Sequence, residues 1–356
     1  EKDVLLGNAL VDMYVNCGLL SKAQKVLKEL PIRNLTSWSA LIAGYVQCGQ
    51  VHEALYHYDC MKSEGFVPDV VTFICILMAC GSTRAIRKGE EIHGEITRGK
   101  FLEKSMVLGS ALIDTYAKCG ELTKAQLLFD ELSVHNVVSW TSLIAGHAQL
   151  GKHDIIFHSL DKMIVEGVPP DTATFTIILN ACSHSGLLEK GQIYFETMNS
   201  KYGLVPTLEH HTCMVTVFGC VGYFDQAMSV IKVMPCSDHP AVWLALLCAC
   251  KRWGNVRLGK VAFDQVVQLD DGCAGAYVLM ATIFSDAGMQ EDARQVEAMR
   301  CKYASRKGED DLLICSHIWF PSISVENMNV GQYKLGAFSG AFSEQQSYLF
   351  ERTRGF

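Results

Sequence analysis

Proline is scarce, with 8 in 356 residues. Each proline removes a backbone donor and breaks a helix interior, so the shortage suits a mostly helical chain. Basic charge is also short: 31 Lys and Arg stand against 38 Asp and Glu, for a net charge of −7. Non-specific affinity for nucleic acid comes from neutralised phosphates, so it is expected to be low here. The cations present still suffice to line one face. Long apolar runs are missing. The longest, such as Phe73–Cys80 and Val242–Cys250, fall far short of the roughly 20 residues that span a bilayer, and no transmembrane segment is expected. No Cys-x-x-Cys pair occurs anywhere.

What is present is apolar and orderly. The chain is 49% hydrophobic and 19% charged, which builds a packed interior and argues against wholesale disorder. Its 15 cysteines recur in apolar settings such as Tyr116-Ala117-Lys118-Cys119 and Asn180-Ala181-Cys182. They read as small core residues in a reducing compartment. The chain opens at Glu1 inside an apolar-periodic segment, so a fragment is expected, with any targeting peptide upstream.

The sequence repeats itself. Ser37-Trp38-Ser39-Ala40-Leu41-Ile42-Ala43-Gly44 is matched by Ser139-Trp140-Thr141-Ser142-Leu143-Ile144-Ala145-Gly146, 102 residues on. The same step joins Tyr14 to Tyr116, Phe73 to Phe175, Ala79-Cys80 to Ala181-Cys182, and Asp69 to Asp171. A third, partial copy keeps Gly222 and Ala227 in step with Gly18, Gly120, Ala23 and Ala125. Each copy divides into pieces of 31, 35 and 36 residues: 4–34, 35–69 and 70–105 in the first. Within a piece, apolar residues recur at helical spacing, as in Leu10, Met13, Tyr14 and then Ala23, Val26, Leu27, Leu30. Cys17-Gly18 turns between the two halves, and Pro31 and Pro68 stop the second. One such hairpin cannot bury its own apolar face, but stacked neighbours can. The expected fold is all-α: an α-solenoid, a right-handed superhelix of helix–turn–helix repeats with a long concave surface.

The words Asn8-Ala9-Leu10-Val11-Asp12-Met13-Tyr14, Val138-Ser139-Trp140 and Ala181-Cys182-Ser183-His184-Ser185-Gly186-Leu187 resemble those of the plant pentatricopeptide-repeat (PPR) proteins of the PLS class. On that resemblance the repeat array occupies 1–239, with S 4–34, P 35–69, L 70–105, S 106–136, P 137–171, L 172–207 and S 208–239. Val242-Trp243-Leu244-Ala245-Leu246-Leu247 with Gly254-Asn255-Val256, and then Ala276-Tyr277-Val278-Leu279, resemble the family's E motifs, giving an E-like helical segment at 240–305. Residues 306–356 match nothing beyond a damaged echo at Cys315-Ser316-His317-Ile318-Trp319, and read as a divergent, poorly ordered tail.

The resemblance implies that each repeat reads one RNA base. Its fifth and last residues bond the base edge, and its second residue sandwiches the base. Carried over, the reading pairs are Asn8/Asn34, Ser39/Asp69, Ser110/Asn136 and Thr141/Asp171. Thr176 and Thr212 hold the fifth position of the last two repeats, closed by Thr207 and Asp238. Leu5, Val107 and Val138 are the sandwiching side chains. In this family hydroxyl with Asp prefers guanine, hydroxyl with Asn prefers adenine, and Asn with Asn prefers a pyrimidine. The tract then reads pyrimidine, G, unspecified, A, G, unspecified, and one weakly defined base. Ile74 makes the 70–105 repeat blind. A plainer reading stands beside this one: Asp69 and Asp171 precede helix starts, where a carboxylate caps free N–H groups, and Ser39 and Thr141 are small enough for a helix–helix contact. Trp38, Trp140 and Trp243 are expected in the core.

Some members of the family carry a C-terminal zinc cytidine deaminase, whose chemistry needs His-x-Glu followed by Pro-Cys-x-x-Cys. His93-Gly94-Glu95 sits in mid-array, and Pro235-Cys236 lacks a second cysteine three residues on. His52 and His57 are one residue too far apart for a zincin pair, and Gly146 to Lys152 imitates a phosphate loop with His153 where Ser or Thr is needed. No enzyme, metal or cofactor is expected. The resemblance implies a single-stranded RNA binder of the mitochondrion or chloroplast that specifies a site of C-to-U editing. A deaminase supplied in trans would dock with its cofactors on 240–305, and neither membrane nor DNA is an expected partner. The alternatives are a protein-binding helical scaffold, which the acidic charge favours slightly, and a degenerate or truncated gene product.

Overall fold

A computed structural model describes residues 2–30, 32–102, 105–235 and 238–304, with side chains of 6–30, 32–102, 105–235 and 238–301. Pro31, the expected tail at 306–356 and the side chain of Leu5 lie outside the described residues. Among the described residues there are helices and turns and no strand, and the 18 helices follow one another as nine hairpins. The expectation of an all-α helical-repeat fold holds.

The chain divides into two compact bodies, Glu1–Val168 and Pro169–Phe356. The first holds five hairpins: α1 (Lys2–Asn16) with α2 (Leu20–Glu29), α3 (Leu35–Gln47) with α4 (Val51–Ser63), α5 (Val70–Thr83) with α6 (Ile86–Arg98), α7 (Met106–Lys118) with α8 (Leu122–Glu131), and α9 (Val137–Gln149) with α10 (His153–Val165). The second holds four: α11 (Thr172–Ser185) with α12 (Leu188–Ser200), α13 (Leu208–Cys220) with α14 (Phe224–Val233), α15 (Pro240–Trp253) with α16 (Val256–Leu269), and α17 (Ala274–Asp286) with α18 (Gln290–Ala304). Within each body the odd-numbered helices pack on one another in sequence, and each even-numbered helix packs on its own partner. This is the stacking that lets a hairpin bury its apolar face against a neighbour.

The apolar period explains which residues go inside. Leu41, Ile42, Ile76, Leu77, Leu112 and Ile113 are fully buried along α3, α5 and α7. Trp38 and Trp140 are buried as expected, while Trp243 is partly buried against the core of the second body. The cysteines divide: Cys75, Cys80, Cys182, Cys213, Cys250 and Cys273 are buried, but Cys17, Cys48 and Cys301 are exposed. Cys17 and Cys48 fall in hairpin turns, where neighbouring repeats provide no cover. Burial pushes the Cys75 and Cys213 thiols up to about 12, so both are inert core groups.

Four of the odd helices, α3, α5, α9 and α11, begin under one rule. Asn34, Asp69, Asn136 and Asp171 each occupy the N-cap, and each Oδ1 accepts the backbone N–H of the residue three further on. Such a cap satisfies one of the orphan donors of a helix start, worth about 1 kcal/mol. Glycine ends the first helix of a hairpin where the chain must turn left-handed. Gly186 closes α11 at φ +65° and Gly254 closes α15 at φ +64°. Arg84, one repeat step before Gly186, takes the same conformation at φ +54°.

Candidate nucleic-acid interface

Within the first body the caps are joined to the preceding repeat by short polar contacts. Ser39 is 7% exposed, and its Oγ lies 2.7 Å from Oγ1 of Thr72. Thr72 in turn donates to Asp69 Oδ1 at 2.7 Å, and its backbone N–H reaches the same oxygen at 2.8 Å. A carboxylate only accepts, so the Thr72 proton is committed to Asp69 and the Ser39 proton to Thr72. Two acceptors remain, the free lone pairs of Ser39 and the second carboxylate oxygen of Asp69. Thus Asp69 is a cap and is also joined to Ser39, and the two readings of that pair are compatible.

The other pairs differ in polarity. Ser37 Oγ stands between two side-chain amides, 2.7 Å from Asn34 Oδ1 and in hydrogen-bond contact with Asn8 Oδ1. The hydroxyl has one proton, which serves Asn8 Oδ1, while Asn34 Oδ1 takes the Ser37 backbone N–H at 2.9 Å; the two NH2 groups make no bond among the described residues, so this pair offers donors. Ser110 donates to Asn136 Oδ1 at 3.1 Å, and the same oxygen takes the Ser139 N–H at 2.8 Å. That pair offers one donor, the Asn136 amide, and one acceptor, the Ser110 oxygen. Asp171 repeats the capping of Asp69: Thr174 donates to its Oδ1 through both N–H, at 2.8 Å, and hydroxyl, at 2.7 Å. Thr141 belongs to the first body and Asp171 to the second.

The remaining sequence-predicted residues vary. Thr176 is half-buried and donates to Thr172 O at 3.0 Å, with His210 Nε2 at 3.2 Å. Thr212 donates back to Leu208 O at 2.8 Å within its own helix. Ile74 is half-buried, and Ser105, which closes its repeat, makes no side-chain cap. Val107 is 36% exposed and Val138 half-buried. Val71 shares their register and is 38% exposed. Its position, second in a repeat beginning at Val70, is the signal that finds it. The bridging residues Ser37, Thr72 and His210 carry no sequence signal of their own, because each lies in the repeat after the one whose residues it contacts.

The sequence fragments that imitate catalytic motifs are held by structural contacts. His93 Nδ1 meets the Tyr116 hydroxyl at 2.8 Å, while Glu95 accepts from the Tyr58 hydroxyl at 3.1 Å and from Lys62 at 2.5 Å. His57 is buried against Trp38 and Tyr45. No helix among the described residues is long and apolar enough to cross a membrane.

Helical hairpins stacked in this way define an all-α helical-repeat protein. The PPR repeat family matches residues 33–82 and 135–184, and the PPR repeat matches residues 8–35, 110–137 and 173–202. The chain is a pentatricopeptide-repeat protein of plant type. It is 37% identical over 307 residues to the putative mitochondrial pentatricopeptide repeat-containing protein At3g11460 of Arabidopsis thaliana, covering 86% of this chain and 49% of that protein. It is likewise 37% identical over 298 residues to the chloroplastic protein CRR2 of the same plant, covering 83% of this chain and 45% of that one. The chain therefore spans about half the length of these relatives. Among solved structures, PPR10 from maize matches at 17% identity and a TM-score of 0.39, over 86% of this chain and 60% of that one. PPR10 in complex with an 18-nt psaJ RNA element matches at 17% identity and a TM-score of 0.44, over 84% and 59%.

Proposed function

We propose that this chain binds single-stranded RNA in a plant organelle, one base per repeat, and recognises the site of a C-to-U editing event whose deaminase comes in trans. One observation carries the reading: the hydrogen-bond polarity left over at three of the pairs suits a base that the family's pairing rule assigns. The Ser39/Asp69 relay leaves two acceptors, which suit the adjacent N1–H and N2–H donors of guanine. Asn8/Asn34 leaves two donors, which suit the O2 and N3 acceptors of cytosine, while uracil, whose N3 carries a hydrogen, offers them only its carbonyl oxygens. Ser110/Asn136 leaves one of each, which suits N1 and N6–H of adenine. Proton placement at these three pairs supports the assignment that the family likeness suggests.

Thr141/Asp171 is read as a second guanine pair on its residue types, and Thr176 and Thr212 as the fifth-position groups of the last two repeats. Leu5, Val107 and Val138, joined by Val71, are read as the apolar faces on either side of the bases, where stacking contributes about 1–3 kcal/mol per base. The E-like repeats at 240–305 are the proposed docking surface for the deaminase and its cofactors. The chain itself is read as non-catalytic. Names of relatives place one in the mitochondrion and another in the chloroplast, and either organelle suits this reading.

Fluorescence-anisotropy titration of short RNAs tests it. The matched RNA has guanine opposite Ser39/Asp69 and Thr141/Asp171, and the control has uracil there. The wild type is expected to favour the matched RNA by about ten-fold or more, since a correctly paired base edge is worth about 1–3 kcal/mol. In a Ser39→Asn, Thr141→Asn variant, each new amide donates to uracil O4 while Asp accepts from N3–H, so the preference reverses. Equal binding of all RNAs near physiological salt would sink the base-reading assignment and favour the protein-scaffold reading, to which the net charge of −7 already leans.

A further inference from the structure

The 172–207 repeat closes with Thr207 rather than Asp or Asn, and the family's pairing rule as carried over assigns no base to Thr176 with Thr207. The structure places an imidazole between them. His210, the third residue of the next repeat, is 1% exposed. Its Nδ1 receives the Thr207 backbone N–H at 3.1 Å and faces the Thr207 hydroxyl at 2.7 Å. Its Nε2 faces Thr172 O at 3.0 Å and Thr176 Oγ1 at 3.2 Å.

These partners fix the proton. A backbone N–H can only donate, so Nδ1 is bare; a backbone carbonyl can only accept, so Nε2 carries the hydrogen. Only this neutral tautomer satisfies both ends. The consequence passes to the two threonines. Across the 2.7 Å contact only the Thr207 hydroxyl can donate, and it shares the one lone pair of Nδ1 with its own backbone N–H. Thr176 meets an N–H at His210 and donates its own proton to Thr172 O, 3.0 Å away. The Thr207 oxygen also accepts the His210 backbone N–H, and the Thr176 oxygen faces the Nε2 hydrogen, so each hydroxyl is left with one lone pair and no free proton. This is the polarity of the Ser39/Asp69 relay, reached with a neutral ring in place of a carboxylate.

We propose that His210 is a positioning residue for specificity: by holding one tautomer it makes the Thr176/Thr207 repeat select a base edge with two adjacent donors, guanine. The inference rests on the RNA-reading assignment above. It applies to a repeat that Thr176 and Thr207 alone leave undefined, because a free hydroxyl donates as readily as it accepts. His210 acts through these hydroxyls and does not itself reach the base. Burial holds its pKa below the ordinary histidine value, so the neutral ring persists at neutral pH.

The test uses the whole chain and a set of RNAs that carry guanine opposite Ser39/Asp69 and Thr141/Asp171. The base opposite the 172–207 repeat is varied through all four. Wild type is expected to favour guanine over uracil at the varied position by roughly five-fold, the net worth of one hydrogen bond. The variant is His210→Thr, chosen because Thr72 and Thr174 occupy the same register in sister repeats and the fold accommodates a hydroxyl there. Its ratio should fall to about one, with guanine opposite Ser39/Asp69 still preferred. His210→Asn, which keeps an acceptor toward Thr207 but loses the Nε2 proton, should fall between them. Three results would overturn the proposal: no preference in wild type at the varied position, an unchanged ratio in His210→Thr, or a variant that weakens all four RNAs equally, which is what a merely structural role produces. If guanine opposite Ser39/Asp69 also makes no difference, the RNA reading itself has failed, and the inference goes with it.

Discussion

His57 makes no hydrogen bond through either ring nitrogen, although it is 3% exposed. It stacks on Tyr45 with centroids 5.1 Å apart and lies 6.0 Å from the Trp38 ring. Burial is the chief cause that holds its pKa below the ordinary value. Glu53 pulls upward and Lys28 downward, both weaker than burial. The ring is therefore neutral in the folded protein. In the unfolded chain it takes a proton near the usual value of about 6.5, so below that pH the unfolded state binds more protons than the native one. Stability from this site is present above about pH 6.5 and is lost as pH falls. His93, His147 and His210 are shifted the same way by burial and add to the slope. Thermal melts between pH 7.5 and 5.5 should show a falling midpoint, and His57→Leu should flatten that dependence. An unchanged slope in the variant would mean that His57 is not buried neutral. Such a group is invisible in the sequence, where His57 looked like half of a failed metal pair; only the packing of Trp38 and Tyr45 around it gives it a role. The proposed reading pairs are more legible, because the fifth and last places follow from repeat length. The relays are not, since Ser37, Thr72 and His210 belong to the next repeat and look like ordinary polar residues of a first helical turn.

At the level of the element, the hairpins could be read from the apolar period because each helix has one neighbour on its own hairpin and others in the adjoining repeats, so a single stripe is forced inward. The turns were legible for a different reason. A left-handed residue must end the first helix, and glycine takes that conformation without a Cβ clash. A Cβ built on Gly186 or Gly254 meets no atom within 4 Å, so replacing either by alanine tests the backbone alone. Each of Gly186→Ala and Gly254→Ala should cost about 1 kcal/mol, the penalty for a non-glycine residue in this region, measured by urea denaturation. Arg84 holds the equivalent turn at φ +54°, so the fold already tolerates one such residue and both variants should remain folded. A loss above about 3 kcal/mol would show that these turns carry packing as well as conformation. What the helical period did not disclose is the rim between repeats. His135 stacks on Phe129 with centroids 3.8 Å apart and shares Glu166 with Trp140 Nε1, at 2.9 and 3.0 Å. One repeat step earlier Arg33 holds Glu64, and the Trp38 Nε1 has no partner. Equivalent positions reach similar connections with different residues, so matching letters across the 102-residue step underestimates how alike the hairpins are.

For the chain as a whole, charge decides how RNA would be held on the proposed reading. Each phosphate neutralised by Lys or Arg releases counterions and steepens the fall of affinity with salt, by about 0.7 in log–log slope per contact on a single strand. Many of the cations described here are already committed. Lys62, Lys88 and Lys124 pair with Glu95, Asp59 and Glu90 across neighbouring repeats, and Lys118 with Asp114. Exposed pairs of this kind contribute little stability, but they withdraw positive charge from any phosphate path. With a net charge of −7, binding has to come mainly from stacking and base-edge hydrogen bonds, which salt screens weakly. The matched RNA should therefore show a log K against log salt slope shallower than about −2, fewer than about three phosphate contacts. Its preference for guanine opposite Ser39/Asp69 should hold nearly constant from low to physiological salt. A slope steeper than about −4 would put the phosphate backbone in charge of affinity. The polar relays would then select among bases already held by charge, rather than supply the hold themselves.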